Sequence, residues 1–214
     1  MEQLEKFRNM QRETKIGFLA PLVTILSIVV ATSILPNFDW AVNPLSDLGS
    51  WYRTDLGSLQ ILSAVLFNGG LIVTGVLIAY FMVWLIKQSN DLPTKIGFLF
   101  FTGTAMFLAG VGVFSEDFSI LHIWTAVPFF FSIPISIGIV GLVWFRLSGM
   151  RTIGVVSILF SLLSILIMFQ PWIELSIAIF ETLEALVAMG WLWFVNYMQY
   201  TGNLSQVFIS QDSL

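Results

Sequence analysis

Long apolar runs recur six times along the chain, separated by short polar segments. Each run is about 20 residues or longer, enough for a helix to cross a hydrocarbon core roughly 30 Å thick. The runs are apolar on all sides, so turn residues and charges set their limits. The pattern predicts an all-α integral membrane protein, a bundle of six transmembrane helices with short loops at residues 16–36, 59–87, 95–114, 119–145, 152–171 and 174–198.

The segments outside these runs complete the expected organisation. Residues 1–15 form a charged N-terminal segment, residues 16–200 a single membrane domain, and residues 201–214 a tail. The first run is too long for a signal-peptide core and lacks a small-residue cleavage site, so we expect a retained helix. The connection at residues 37–58 is long enough to form one structured outer loop.

The amino-acid composition supports a membrane protein and excludes several kinds of site. Hydrophobic residues make up 57% of the chain and charged residues 10%, against about a quarter charged in a soluble domain. The chain has no cysteine, which excludes disulfides, thiolate nucleophiles and cysteine metal sites.

Charge asymmetry predicts the orientation in the membrane. One end of the predicted bundle carries Lys6, Arg8, Arg12, Lys15, Lys87, Lys95, Arg146 and Arg151. The other end carries Arg53 with Asp39, Asp47, Asp55, Glu116, Asp117 and Glu174. Because basic loops stay in the cytoplasm, we expect both termini there. The orientation in the membrane already accounts for the cluster of basic residues at one end, so these residues do not predict nucleic-acid binding.

The words "TKIGFL" at 14–19 and 94–99, and "RTIGVV" from Arg151, begin the three outward-going spans. Local convergence explains them more simply than duplication, since the intervals are unequal. A basic residue reaches the head groups in each word. The glycine that follows is expected to let a neighbouring helix come close.

Four polar residues within the spans share a depth in the outer half. Glu181 and Glu184 lie three residues apart in the sixth span, roughly on one helical face. His122, the single histidine, and Asn68 lie at similar depth in the fourth and second spans. Buried charges are costly in a bilayer, at about 3 kcal/mol each. We therefore predict an outer cavity that these side chains line as ligand-binding groups.

Structural roles remain open for each of these residues. Asn68 also suits an interhelical hydrogen bond, and His122 suits a satisfied interfacial histidine. Glu181 and Glu184 also suit a partly protonated pair that joins helices. In the outer loop, Asp47 in "NPLSDLGS" is expected to complete the cavity from above, while Thr54 or Asp55 caps the second span.

Three stretches carry a resemblance to a known family: "NPLSDLGS", "LFNGGLIVTG", and "AGVGVFSED" followed by "LHIWTAVPFFF". They resemble a bacterial and archaeal family of six-helix membrane proteins of unknown function, itself distantly similar to the Frag/DRAM/Sfk group, some of which act in lipid remodelling. The resemblance implies a six-helix bundle in a prokaryotic cell membrane. It places five residues at motif positions: Ser46, Asp47, Asn68, Glu116 and His122.

Three classes of function fit these features. The first is a lipid-related protein, a binder or an enzyme, with a polar site in the outer half of the bundle and Arg53, Ser46 and Glu116 as further ligand contacts. The second is a non-catalytic subunit or scaffold of a membrane complex. The third is a cation or proton transporter that uses Glu181 and Glu184 as coupled carboxylates. The bilayer is the expected partner, with a bound lipid, a homo-oligomer or a membrane partner as further possibilities.

An enzyme would use His122 or Glu181 as general base, with Asp47 orienting a group or binding a metal. One histidine cannot supply a three-histidine zinc site or a bis-histidine haem. No cofactor is predicted. A carboxylate-rich site for a harder metal stays open.

Overall fold

In a computed structural model, the protein is a bundle of helices with one folded loop across one end. The structure describes residues 2–169 and 176–208. Six helices are long and apolar enough to cross a membrane, which confirms the predicted fold class. The helices are α1 (Glu2–Asn9), α2 (Arg12–Ile34), α3 (Gln60–Gln88), α4 (Leu92–Val113), α5 (Ile120–Arg146), α6 (Arg151–Met168) and α7 (Ile177–Tyr200).

Helices α2 to α7 form a ring in which each packs against the next along the chain. Helix α7 closes the ring by packing against α2 as well as α6, and it also contacts α5. We call the end that holds residues 35–59 the loop end and the opposite end the terminal end. The expected turn around "QPW" and Glu174 lie outside the described residues.

Glycines allow the helices to approach closely, as the repeated words predicted. An added Cβ at Gly17 would lie 2.8 Å from the Asn196 side chain, and one at Gly97 would lie 2.5 Å from Val140. At Gly154 it would overlap the Phe145 backbone. The expectation that these glycines lie at close helix contacts is therefore confirmed.

The terminal half of the bundle is filled by large aromatic side chains. Trp144, Trp191, Phe81 and Phe98 are fully buried there. The ring centroids of Phe101 and Trp191 lie 4.7 Å apart. This packing closes the bundle below its midpoint and leaves internal space in the loop half.

The loop at the loop end folds inward against the helices. Its centre is a 3-10 helix, Leu45–Gly49, in which Leu45, Asp47, Leu48 and Gly49 are buried. The predicted structured loop is confirmed. The chain after α7 also packs, since the Asn90 amide donates to the Val207 carbonyl at 2.8 Å.

Candidate functional site

A cavity lies inside the bundle beneath the 3-10 helix. Its walls come from α2, α3, α4, α5 and α7, and it extends from Ser46 down to Ile78 and Phe101. The volume of this cavity is about 80 Å³. Most wall residues are apolar, and the polar ones are Thr24, Ser46, Thr74, Thr104, His122 and Glu181. The cavity is therefore narrow, mostly apolar along its length apart from three threonines, and more polar near the loop. We call Leu45, Ser46, His122 and Glu181 the cavity rim.

Polar side chains from the start of α3 hold the loop backbone in place. Gln60 donates to the carbonyls of Asp47 and Ser50 at 2.9 Å each, Ser63 donates to Leu48 at 2.9 Å, and Asn68 donates to Gly49 at 2.8 Å. Buried backbone carbonyls need such partners. The loop is thus fixed over the cavity by α3.

Asn68 has the structural role that the sequence left open beside ligand binding. Its amide holds Gly49, and it is not among the residues that line the cavity. A Cβ on Gly49 would overlap the Asn68 side chain. Glycine at position 49 therefore lets the loop lie directly against α3.

Asp47 anchors the loop through its side chain rather than lining the cavity. It is 3% exposed, accepts a hydrogen bond from Asn43 at 2.7 Å and forms an ion pair with Arg53. Arg53 also binds Asp55 at 2.8 Å. The expectation that Thr54 or Asp55 caps α3 is wrong, because α3 begins after Leu59 with no side-chain cap. Asp55 pairs with Arg53 instead.

Two carboxylates after α4 meet the loop from the other side. Glu116 accepts a hydrogen bond from the Ser46 hydroxyl at 3.1 Å. Asp117 accepts from the Ser50 hydroxyl at 2.7 Å and the Trp51 amide at 2.8 Å. Burial, together with the nearby Asp47, raises the pKa of Glu116 to about 7. The loop end therefore carries a carboxyl group, that of Glu116, which titrates near neutral pH.

We expect the stability of the protein to fall as the pH rises from 5 to 8. The pKa of Glu116 is raised above its unfolded value of 4.5, so its contribution is complete below that value and is lost as the pH passes the folded pKa of about 7. A hydrogen bond from Arg53 lowers the pKa of Asp55, so its contribution is lost only at more acidic pH. Thermal unfolding followed by tryptophan fluorescence should show this slope.

The variant Glu116→Gln should flatten the slope between pH 5 and 8, and the control Asp55→Asn should leave it unchanged. A wild-type melting temperature that is constant over this range would contradict the assignment, as would an unchanged slope in Glu116→Gln.

Glu181 joins α7 to the loop at the cavity rim. Its Oε2 accepts a hydrogen bond from the Leu45 amide at 2.7 Å. Its other oxygen, Oε1, accepts no hydrogen bond from residues 2–169 or 176–208. Glu181 lies one turn inside the helix, and Ala185 and Ala188 follow it along the cavity wall. Small residues on this face of α7 leave the space open.

His122 lies at the rim on the first turn of α5. Its Nδ1 is 2.8 Å from the Phe114 carbonyl oxygen. Because a carbonyl only accepts, Nδ1 carries the hydrogen, and Nε2 of a neutral ring is then an acceptor. Nε2 has no protein partner within the described part of the chain. Of the three candidate catalytic residues, His122 and Glu181 line the cavity and Asp47 does not.

Glu184 faces a different neighbour from Glu181. It is fully buried, and its Oε2 accepts a hydrogen bond from Ser164 of α6 at 2.6 Å. Three residues of helix correspond to about 300° of rotation, so the two side chains point about 60° apart. The cavity lies on the Glu181 side, and Glu184 joins α7 to α6.

Metal binding finds little support in this geometry. No group of three or more histidine, aspartate or glutamate side chains is placed to hold an ion among the residues that the structure describes. The acidic residues of the loop are held by Arg53, Asn43 and hydroxyl groups instead.

Sequence reasoning missed the main walls of the cavity. Phe67, Leu71 and Leu108 line it, but apolar residues within an apolar span give no signal of which side they face. The Leu45 amide at the rim could be found only from the folded loop. The alanines of α7 were the available signal, since small residues mark a helix face that meets the bundle interior.

The fold and this site define an all-helical membrane protein with an internal cavity that has a polar rim and lies beneath a folded loop. The chain belongs to the DUF998 family, described as "Protein of unknown function", whose profile matches residues 18–196. The predicted membership of an uncharacterised membrane family is confirmed, and the link to the Frag/DRAM/Sfk group stays a prediction. No curated protein and no solved structure matches the chain.

Proposed function

We propose that the protein binds a membrane lipid, with an apolar chain in the cavity and the polar head at the rim. The observation that carries this proposal is the shape and polarity of the cavity, which is narrow and mostly apolar from Ile78 up to the polar groups at the loop end. Ligand sites in proteins commonly combine apolar walls with a few placed polar groups. The surrounding bilayer is the source of such a ligand.

The depth of the cavity suits a lipid chain. On α3 the wall extends from Phe67 to Ile78, a distance of about 16 Å at 1.5 Å per residue. A saturated chain of about 12 to 16 carbons has a comparable length. The aromatic layer at Phe101 and Trp191 limits how far such a chain can enter.

Two features favour this proposal over the cation or proton transporter. Glu181 and Glu184 make separate contacts, to the loop and to α6, so they do not form one carrier site. Below the cavity, the buried rings of Trp144, Trp191 and Phe98 occupy the path to the terminal end. The proposal also supplies a reason for the loop, which separates the polar head from water.

Filling the cavity tests the proposal. Ala188→Phe places a large ring in the cavity wall, whereas the matched control Leu186→Phe lies on the exposed face of the same helix. Lipid retained by the purified protein is measured by native mass spectrometry. We expect the wild type and Leu186→Phe to retain a lipid mass, and Ala188→Phe to lose at least nine-tenths of it.

Equal retention by all three proteins would place the lipid outside the cavity. A bare polypeptide mass for the wild type would also overturn the proposal and favour a subunit or scaffold. If Ala188→Phe does not fold, the smaller change Ala185→Leu tests the same wall.

A further inference from the structure

The side-chain donors of the cavity rim and the Leu45 amide are already used within the protein. The Leu45 amide donates to Glu181, the Ser46 hydroxyl donates to Glu116, and His122 Nδ1 donates to Phe114. The hydroxyl of Thr24, which has no partner within residues 2–169 and 176–208, lies lower, about 15 Å from the end of α2 at Ile34. The side chains of the rim therefore have no donor to offer to a ligand.

The atoms left at the rim are acceptors. Glu181 Oε1 and His122 Nε2 make no hydrogen bond to the described residues, and the Ser46 oxygen retains its lone pairs. A head group that pairs with these side-chain atoms must therefore supply the hydrogens. Phosphate and carboxylate heads are ionised acceptors and would leave these atoms unpaired, which weakens binding because a buried polar atom without a partner is costly.

The charges above the rim point the same way. Five acidic side chains lie in or against the loop: Asp39, Asp47, Asp55, Glu116 and Asp117. The guanidinium of Arg53 is held between Asp47 and Asp55 and does not line the cavity. Among the described residues no lysine or arginine lines the cavity. A cationic head is thus favoured over an anionic one.

We infer that the cavity rim binds an ammonium group that carries its own N–H donors, on the head of a lipid with one chain in the cavity. The inference rests on the proposed function. Glu181 Oε1 and His122 Nε2 accept from the ammonium, and Glu181 supplies the opposite charge. A simple long-chain amine and a phospholipid with an ethanolamine head share this chemistry.

Binding of three probes with one chain length tests the inference. Hexadecylamine, hexadecanol and hexadecyl phosphate are titrated into the purified full-length protein, and bound ligand is counted by native mass spectrometry. We expect the wild type to bind the amine at least tenfold more tightly than either other probe. The ammonium group could belong to a long-chain amine or to an ethanolamine phospholipid. Nanodiscs with phosphatidylethanolamine or phosphatidylcholine distinguish these two sources. Retention of phosphatidylethanolamine but not phosphatidylcholine assigns the phospholipid, because the choline head has no N–H donor.

Two glutamines serve as matched variants on α7. Glu181→Gln keeps an oxygen that accepts from Leu45 but removes the charge, and should weaken amine binding about tenfold with little change for the alcohol. Glu184 lies one turn away on α7 and outside the cavity, so Glu184→Gln should change neither amine binding nor alcohol binding. Alcohol or phosphate binding as tightly as the amine, or an undiminished amine preference in Glu181→Gln, would overturn the inference and leave the lipid site standing. No binding of any probe to the wild type would overturn the proposed function as well.

Discussion

Replacing Gly75 by leucine is expected to destabilise the bundle by about 3 kcal/mol, the upper part of the range for overpacking a helix contact. A Cβ at Gly75 would lie 2.5 Å from the Ala105 carbonyl oxygen and 2.7 Å from the Ala109 amide nitrogen. Both are backbone atoms of α4 and cannot rotate away. The whole of α3 must therefore move from α4, and this shift also opens the wall of the cavity.

Gly69 on the same helix supplies the control, because a Cβ there meets nothing within 4 Å. Gly69→Leu should leave the melting temperature unchanged or raise it slightly, since leucine favours the helix over glycine by about 1 kcal/mol. Thermal unfolding of both variants in one detergent is the measurement. An equal loss in the two would show that Gly75 does not lie at the tight contact.

Replacing Asp47 by alanine is expected to release the loop from the cavity. The change leaves the Asn43 amide without its acceptor and Arg53 with only Asp55. An unpaired buried group costs about 1–3 kcal/mol, so the local stability of residues 43–53 should fall by about 2 kcal/mol. Hydrogen exchange of the loop amides should then accelerate roughly 30-fold.

Asp55→Ala is the matched control for the loop, since Asp55 pairs with the same arginine but its side chain is 62% exposed. Exposed ion pairs contribute about 0–1 kcal/mol, so exchange in residues 43–53 should change less than about fivefold. Equal acceleration in both variants would mean that the buried contacts of Asp47 do not hold the loop.

The fold followed from the sequence because bilayer thickness sets the length of each apolar run. The ends of the helices were less well predicted. Helix α2 begins at Arg12 rather than residue 16, because nothing between Arg12 and Lys15 stops a helix from continuing out of the apolar run. The short helix α1 has no apolar run to reveal it.

Parts of the candidate site were also visible in the sequence. His122 and Glu181 lie at similar depth within their spans, and this predicted that they line one cavity. The loop motif indicated that Asp47 lies in an ordered turn. The separate roles of Glu181 and Glu184 were not visible, because residues three apart differ by about 60° and only the positions of α6 and the loop decide which neighbour each one meets. The side chains of Gln60, Ser63 and Asn68 on α3 donate to backbone carbonyls of the loop, and no local sequence pattern predicts these contacts.

The bundle is filled with aromatic side chains in its terminal half. Its loop half contains the cavity, and the loop covers this cavity. The loop is fixed by α3, by Asp47 with Arg53 and by Glu181. Glu181 therefore has two roles. Its Oε2 accepts from the Leu45 amide and holds the loop, and its Oε1 is available to the head group of the ligand.

The most direct test of lipid binding is an experimental structure of the wild-type protein in lipid nanodiscs at a resolution that shows acyl chains. The account predicts continuous, elongated density in the cavity, with its polar end beside Glu181 and His122 and its apolar end near Ile78 and Phe101. A well-resolved cavity that is empty, or that holds only separate water molecules, would contradict it.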